Sequence, residues 1–136
     1  MANALYSKGR ERFLADGTIQ WTNHDIKAVL VTSGYTAGLN LATDEFLAII
    51  DAGWRLATSS NFGSKTVAAG VADAGDITFT AVTGTGVYIV IYRDTGDPAT
   101  SPLICCIDTA TGLPVVSAGG NVIVVFDNGV NKIYKL

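Results

Sequence analysis

Apolar and polar positions follow two periods along this chain. Near the start, Leu5, Tyr6, Phe13 and Leu14 form an apolar stripe, with Lys8, Arg10, Glu11 and Arg12 largely on the other faces. That is the pattern of a short amphipathic helix. Asn3 is placed to cap it and Asp16-Gly17 to end it, while Gly9 weakens it by up to about 1 kcal/mol relative to alanine. So short a helix needs a docking surface, either its own sheet or a neighbouring subunit.

The run 26–32 (IKAVLVT) is apolar enough for a strand buried on both faces, and Ser33-Gly34 then turns the chain. A second short helix is expected around residues 43–51. Thr43 can cap it, Asp44 and Glu45 suit its N-terminal dipole, and Phe46, Leu47 and Ile50 give it an apolar face. From Trp54 onward the pattern is β. Strands are expected at 54–59, 65–72, 76–82, 87–92, 103–107, 115–116 leading into 121–126, and at the end of the chain. Turns are expected at 73–75, 83–86, 95–98, 109–114 and 127–129, where Gly, Pro, Asn and Asp gather. About eight short strands with turn signals roughly every 8–12 residues predict a mainly β, antiparallel sandwich or Greek-key barrel.

A length of 136 residues fits a single β domain, 1–136, on which the segment 1–21 packs as a helical arm unless it packs on a partner. Charged residues make up only 15% of the chain, against about 25% in an ordinary soluble domain. So sparse a charge suggests that part of the surface is covered, most simply by copies of the same chain as a dimer or trimer. The net charge of −3 and the scattered basic residues argue against nucleic acid as a partner. No stretch is long and apolar enough for a membrane span or a signal peptide, so a protein made in a cytoplasm is expected.

No constellation of nucleophile, base and orienting group stands out, so the sequence reads as non-enzymatic, with no catalytic residue, metal site or cofactor expected. His24 is the sole histidine and sits in a polar stretch, where a capped loop residue is the simplest reading. Cys105 and Cys106 are adjacent, so on a strand they point to opposite faces as small apolar residues of a reducing compartment. Gly63-Ser64-Lys65-Thr66 lacks the upstream glycine of a phosphate-binding loop, since position 59 is serine. Asp94 with Asp97, and Asp73 with Asp76, read as Asx turns rather than calcium ligands. Trp54 and Tyr88 lie in apolar strands and belong to a core, whereas Trp21 and Tyr35 flank the first strand and are expected to be exposed.

The segment Ala4-Leu5-Tyr6, Lys8-Gly9-Arg10-Glu11, Phe13-Leu14, Gly17, Ile19 and Trp21 matches a pattern A-L-Y-x-K-G-R-E-x-F-L-x-G-x-I-x-W, apart from an extra residue near Asp16. With the strand IKAVLV, the stretch SKTVAAGVADAGDITFTAVTG and the ending DNGVNKIYKL, it makes the whole chain resemble small virion structural proteins of tailed bacteriophages. That resemblance implies a capsid decoration (cement) protein on the capsid surface of the virion, made in the bacterial host cytoplasm, with the major capsid protein and its own copies as partners. A neck, tail or fibre-base subunit is the nearest alternative. A glycan-binding β module using Trp21 and Tyr35 is another. The expected partner surface is the N-terminal helix and the segment to Trp21, with Leu5, Tyr6, Arg10, Arg12, Phe13 and Trp21 as its contact residues. On this expectation, deleting residues 1–16 abolishes capsid binding and leaves the β domain folded.

Overall fold

The computed structural model describes residues 3–15, 17–130 and 132–136. The first regular element is a strand rather than a helix. Ala4–Leu5 (β1) pairs antiparallel with Leu103–Ile107 (β8), Ala4 opposite Cys106 and Leu5 opposite Cys105. Only then does the helix Ser7–Ala15 (α1) begin. Asn3 caps no helix. Its Oδ1 accepts from the backbone N–H groups of Asp108 and Thr109, at 2.9 Å each, and fastens β1 to the loop after β8. The expected helix end falls partly on Asp16, which lies outside the described residues.

Gly9 has a use that its low helix propensity hides. It is buried where α1 crosses β8, and a Cβ there would collide with the carbonyl oxygen of Leu103. The missing side chain lets helix and sheet backbones touch.

The central sheet has the order β1-β8-β7-β2-β3, with Ile26–Val31 as β2, Arg55–Thr58 as β3 and Tyr88–Arg93 as β7, all antiparallel. Both faces are covered, as the continuous apolar runs require. Alternate residues of β2 and β7 serve two cores. Ala28, Leu30, Ile89 and Ile91 pack with Phe79, Val82, Phe62 and Trp21 on one side. Val29, Val31, Tyr88 and Val90 pack with Tyr6, Tyr35, Leu47 and Ile50 on the other. Cys105 belongs to the first core and Cys106 to the second, both as free thiols, as their adjacency predicts.

The first core is closed by a long two-stranded ribbon, Ile77–Gly86 (β6) with Val115–Val124 (β9), and by a small sheet in the order β10-β5-β4. In that sheet β4 is Thr66–Ala68, β5 is Val71–Asp73 and β10 is Tyr134–Lys135. The result is a mainly β, sandwich-like fold of antiparallel sheets.

Several expected boundaries move. The strand expected at 65–72 is a hairpin, turned by Ala69 and Gly70 at φ 52° and 77°. The turn expected at 83–86 is strand, and the expected lead from 115–116 into 121–126 is one strand that runs through Ala118-Gly119-Gly120. These glycines serve bulges and close approach: the register slips on either side of Val82, Gly84 has φ 121°, and Gly86 lies against the Leu30 side chain. The real corner is Val87, the single residue between ribbon and sheet, whose N–H donates to the Val31 carbonyl at 2.8 Å.

The second helix expected around 43–51 is absent. Leu47–Ile49 and Ala52–Trp54 form two short 3-10 turns, and Phe46 makes an isolated bridge to Pro102. Tertiary bonding overrides the local helix signal here. Asp44 does not stay at a helix terminus but is buried, with Oδ2 accepting from the Tyr35 hydroxyl at 2.6 Å and the Asn40 N–H at 2.9 Å. Trp54, expected in a strand core, ends the second 3-10 turn half-buried against Gly34.

Candidate functional site

The N-terminal segment docks on its own domain and is no separable arm. Leu5 and Tyr6 are core residues, and Tyr6 is wholly inaccessible, its hydroxyl 3.0 Å from that of Tyr35. Burial pushes both phenols well above the usual range, with Cys106 adding to it at Tyr6 and the hydrogen bond to Asp44 at Tyr35. Deleting residues 1–16 therefore removes an edge strand and part of a core, contrary to the expectation that the β domain would survive.

Trp21 and Tyr35, expected to be exposed, are both buried. The Trp21 Nε1–H donates to the Asp73 carbonyl at 2.9 Å, and its ring meets Phe62 and Tyr134 edge-on at 5.9 and 5.2 Å. Neither residue offers the free ring face on which a sugar would stack.

Of the six expected contact residues, Arg10, Arg12 and Phe13 keep accessible atoms on α1. Arg12 is committed within the fold, pairing with Glu45 at 2.5 Å and lying 4.9 Å over the Phe46 ring. Phe13 tilts toward Tyr134 at 6.0 Å and, with Ile19, Trp21 and Ala72, floors an apolar cleft of about 170 Å³. Its rim carries Val67, 56% exposed, and Leu136, 50% exposed. Leu14, the next residue along α1 from Phe13, is 77% exposed. On the other side of Tyr134, Arg10 and Lys135 border a second cleft with Asn3, Ile107 and Ile133.

Tyr134 thus divides an apolar slot from a basic one. The sequence pointed to Arg10, Phe13 and Trp21 but missed Tyr134, Val67 and Leu136. Val67 arrives through the β4–β5 hairpin, opposite Ala72, and Tyr134 and Leu136 through the pairing of β10 with β5, which has no local signal. An apolar slot with a cationic neighbour suits a protein surface that presents a hydrophobic anchor beside an acidic group.

Elsewhere the polar residues that the sequence singled out bond within the fold. His24 Nδ1 accepts from the Gln20 N–H at 2.9 Å, and its pKa is lowered by partial burial and by the nearby Arg93 and Lys65. Lys65 donates to the His24 carbonyl, which ties the Gly63-Ser64 turn to that loop. Asp94 and Asp97 do form Asx turns, accepting from Gly96 and Ala99 at 2.9 Å each. Asp73 and Asp76 act differently: Asp73 pairs with Lys132 at 2.9 Å, and Asp76 accepts from the Phe126 N–H at 3.0 Å. Among the described residues, no three His, Cys, Asp or Glu side chains gather as a metal would need. No helix is long and apolar enough to cross a membrane, again among the described residues. No protein-family model matches the chain, and a search of curated proteins finds no match either.

Proposed function

We propose that this protein is a non-enzymatic virion structural subunit of a tailed bacteriophage, of the capsid decoration type, binding the outside of the head and stabilising it. The observation that carries the reading is the N-terminal motif. Its residues Leu5, Tyr6, Ile19 and Trp21 are core, Phe13 packs against that core, and Gly9 is the contact between α1 and β8. These residues decide how the N-terminal segment packs, so a resemblance carried by them supports a shared way of folding. The sparse charge and the exposed apolar rim around Tyr134 support a role in packing against other proteins rather than against nucleic acid or lipid. In this reading the major capsid protein places an apolar side chain in the cleft of Phe13, Trp21 and Tyr134.

The deciding experiment is the copy number of the chain in purified virions, by quantitative mass spectrometry against the major capsid protein. Hundreds of copies in simple ratio to the capsid subunit support decoration. A handful would move it to the neck, tail or fibre base, and absence from the particle would end the virion reading. Leu14→Lys and Val67→Lys, at exposed positions, should keep the fold and release the protein from capsids. Retained binding by both would place the contact elsewhere.

A further inference from the structure

The ribbon has an unusual surface. Neither Ile77–Gly86 nor Val115–Val124 contains a charged residue, in a chain that has 9 basic and 12 acidic ones. Its outward face sets exposed Thr78, Thr83 and Thr85 of β6 opposite exposed Ile123, Ala118 and Val116 of β9. Among the described residues β9 pairs with β6 on one side and with no strand on the other, so that edge carries unpaired backbone N–H and C=O groups. That edge is open. Four successive residues, Val122, Ile123, Val124 and Val125, line a groove of about 420 Å³ whose other walls include Leu113 and Ile89. Successive residues of a strand point to opposite faces, so a groove that touches all four runs along the strand's edge. β9 carries no lysine, proline or inward charge that would guard the edge, and beyond the bulge at Gly119 its run from Asn121 is straight.

We propose that the free edge of β9 is a self-association surface, pairing antiparallel with β9 of a second copy about a two-fold axis. The product is a continuous β6-β9-β9-β6 sheet. Two features select a second copy as the occupant. An antiparallel edge is complementary to itself, each N–H finding a C=O when a two-fold axis relates the strands. Two copies each of net charge −3 meet here without bringing charged side chains together. The pairing does not depend on the virion reading.

Sedimentation equilibrium of the full chain tests it. The expected mass at high concentration is twice the 14.2 kDa of one chain. The double variant Ile123→Lys, Val125→Lys changes side chains that are 67% and 70% exposed in the single chain. It should leave the circular dichroism spectrum unchanged and raise the dimer dissociation constant at least about tenfold. Single cysteines at Ser117, Asn121, Ile123 and Val125 should form an intermolecular disulfide at one position or two close ones, marking the axis. Cys105 and Cys106 are buried and should not interfere. A monomer at every concentration overturns the proposal. So does a trimer, since a two-fold edge pairing closes at two copies, and so does a dimer that survives the double lysine variant without crosslinking at any of the four positions.

Discussion

The Tyr35 hydroxyl donates a 2.6 Å hydrogen bond to the buried carboxylate of Asp44, and the hydroxyl of Tyr6 stands 3.0 Å behind it. This chain of groups joins three segments distant in sequence: the residue before α1, the turn after β2, and the loop that replaces the expected second helix. Tyr35→Phe keeps the ring and removes the donor, leaving Asp44 with the Asn40 N–H alone. The expected loss is about 1–3 kcal/mol of unfolding free energy in urea, the usual consequence of an under-satisfied buried acceptor. An unchanged midpoint would mean that the loop around Asp44 opens to water without penalty.

Gly9→Ala reverses the ordinary helix rule. Alanine should favour an isolated helix by up to about 1 kcal/mol. Here its Cβ meets the Leu103 carbonyl oxygen, and α1 must lift from β8. A net destabilisation of about 1–3 kcal/mol is expected, typical of overpacking. A rise in thermal midpoint would show that the helix can shift freely over the sheet.

Lys27 Nζ lies 2.6 Å from Asp94 Oδ2, with both side chains less than a third exposed. The hydrogen bond from Lys27, helped by the Gly96 N–H and opposed by partial burial, holds the Asp94 carboxyl below its ordinary value. The folded pKa is therefore lower than the unfolded one. The stabilisation is present above the unfolded carboxylate pKa and is lost as pH falls through the folded pKa. Asp94→Asn should flatten the acid limb of stability against pH in urea titrations. The same acid slope in wild type and variant would assign the pH dependence to other carboxylates.

Both thiols should be silent in the folded protein. Burial raises each, Cys105 the more strongly and Cys106 to about 12, so little thiolate exists at neutral pH. A thiol-reactive chromogenic reagent should report no reaction in native buffer and two equivalents on unfolding. Fast labelling without denaturant would show that β8 detaches from its neighbours.

Strands with strong apolar runs were legible. Residues 26–32 and 103–107 were expected as strands and form β2 and β8, and the opposite facing of Cys105 and Cys106 followed from adjacency alone. Glycine was harder to read. At 83–86 it looked like a turn because a local reading cannot see Leu30, against which Gly86 lies. The 43–51 segment carried a sound helix signal, but Asp44 gained more from Tyr35 and Asn40 than from a helix terminus. The candidate cleft was half legible. Phe13 and Trp21 stood out as aromatic, whereas Tyr134 joins them only through a non-local ladder. The uncharged ribbon was visible in principle, as two long gaps in the charge pattern, yet its meaning depends on the pairing of β6 with β9.

The pairing of Ala4 with Cys106 has a consequence for how the chain is made. An edge of the central sheet leaves the ribosome about a hundred residues before β8, with which it pairs, at a synthesis rate of roughly 5–20 residues per second. β2 finds β3 early, but its other edge waits for β7, which follows only after the hairpin and half of the ribbon. Such distant pairings slow folding, because loop closure precedes the contacts that reward it. For several seconds the nascent protein therefore carries apolar strands without partners, and Leu5 and Tyr6 wait beside them for a wall that has not yet been built.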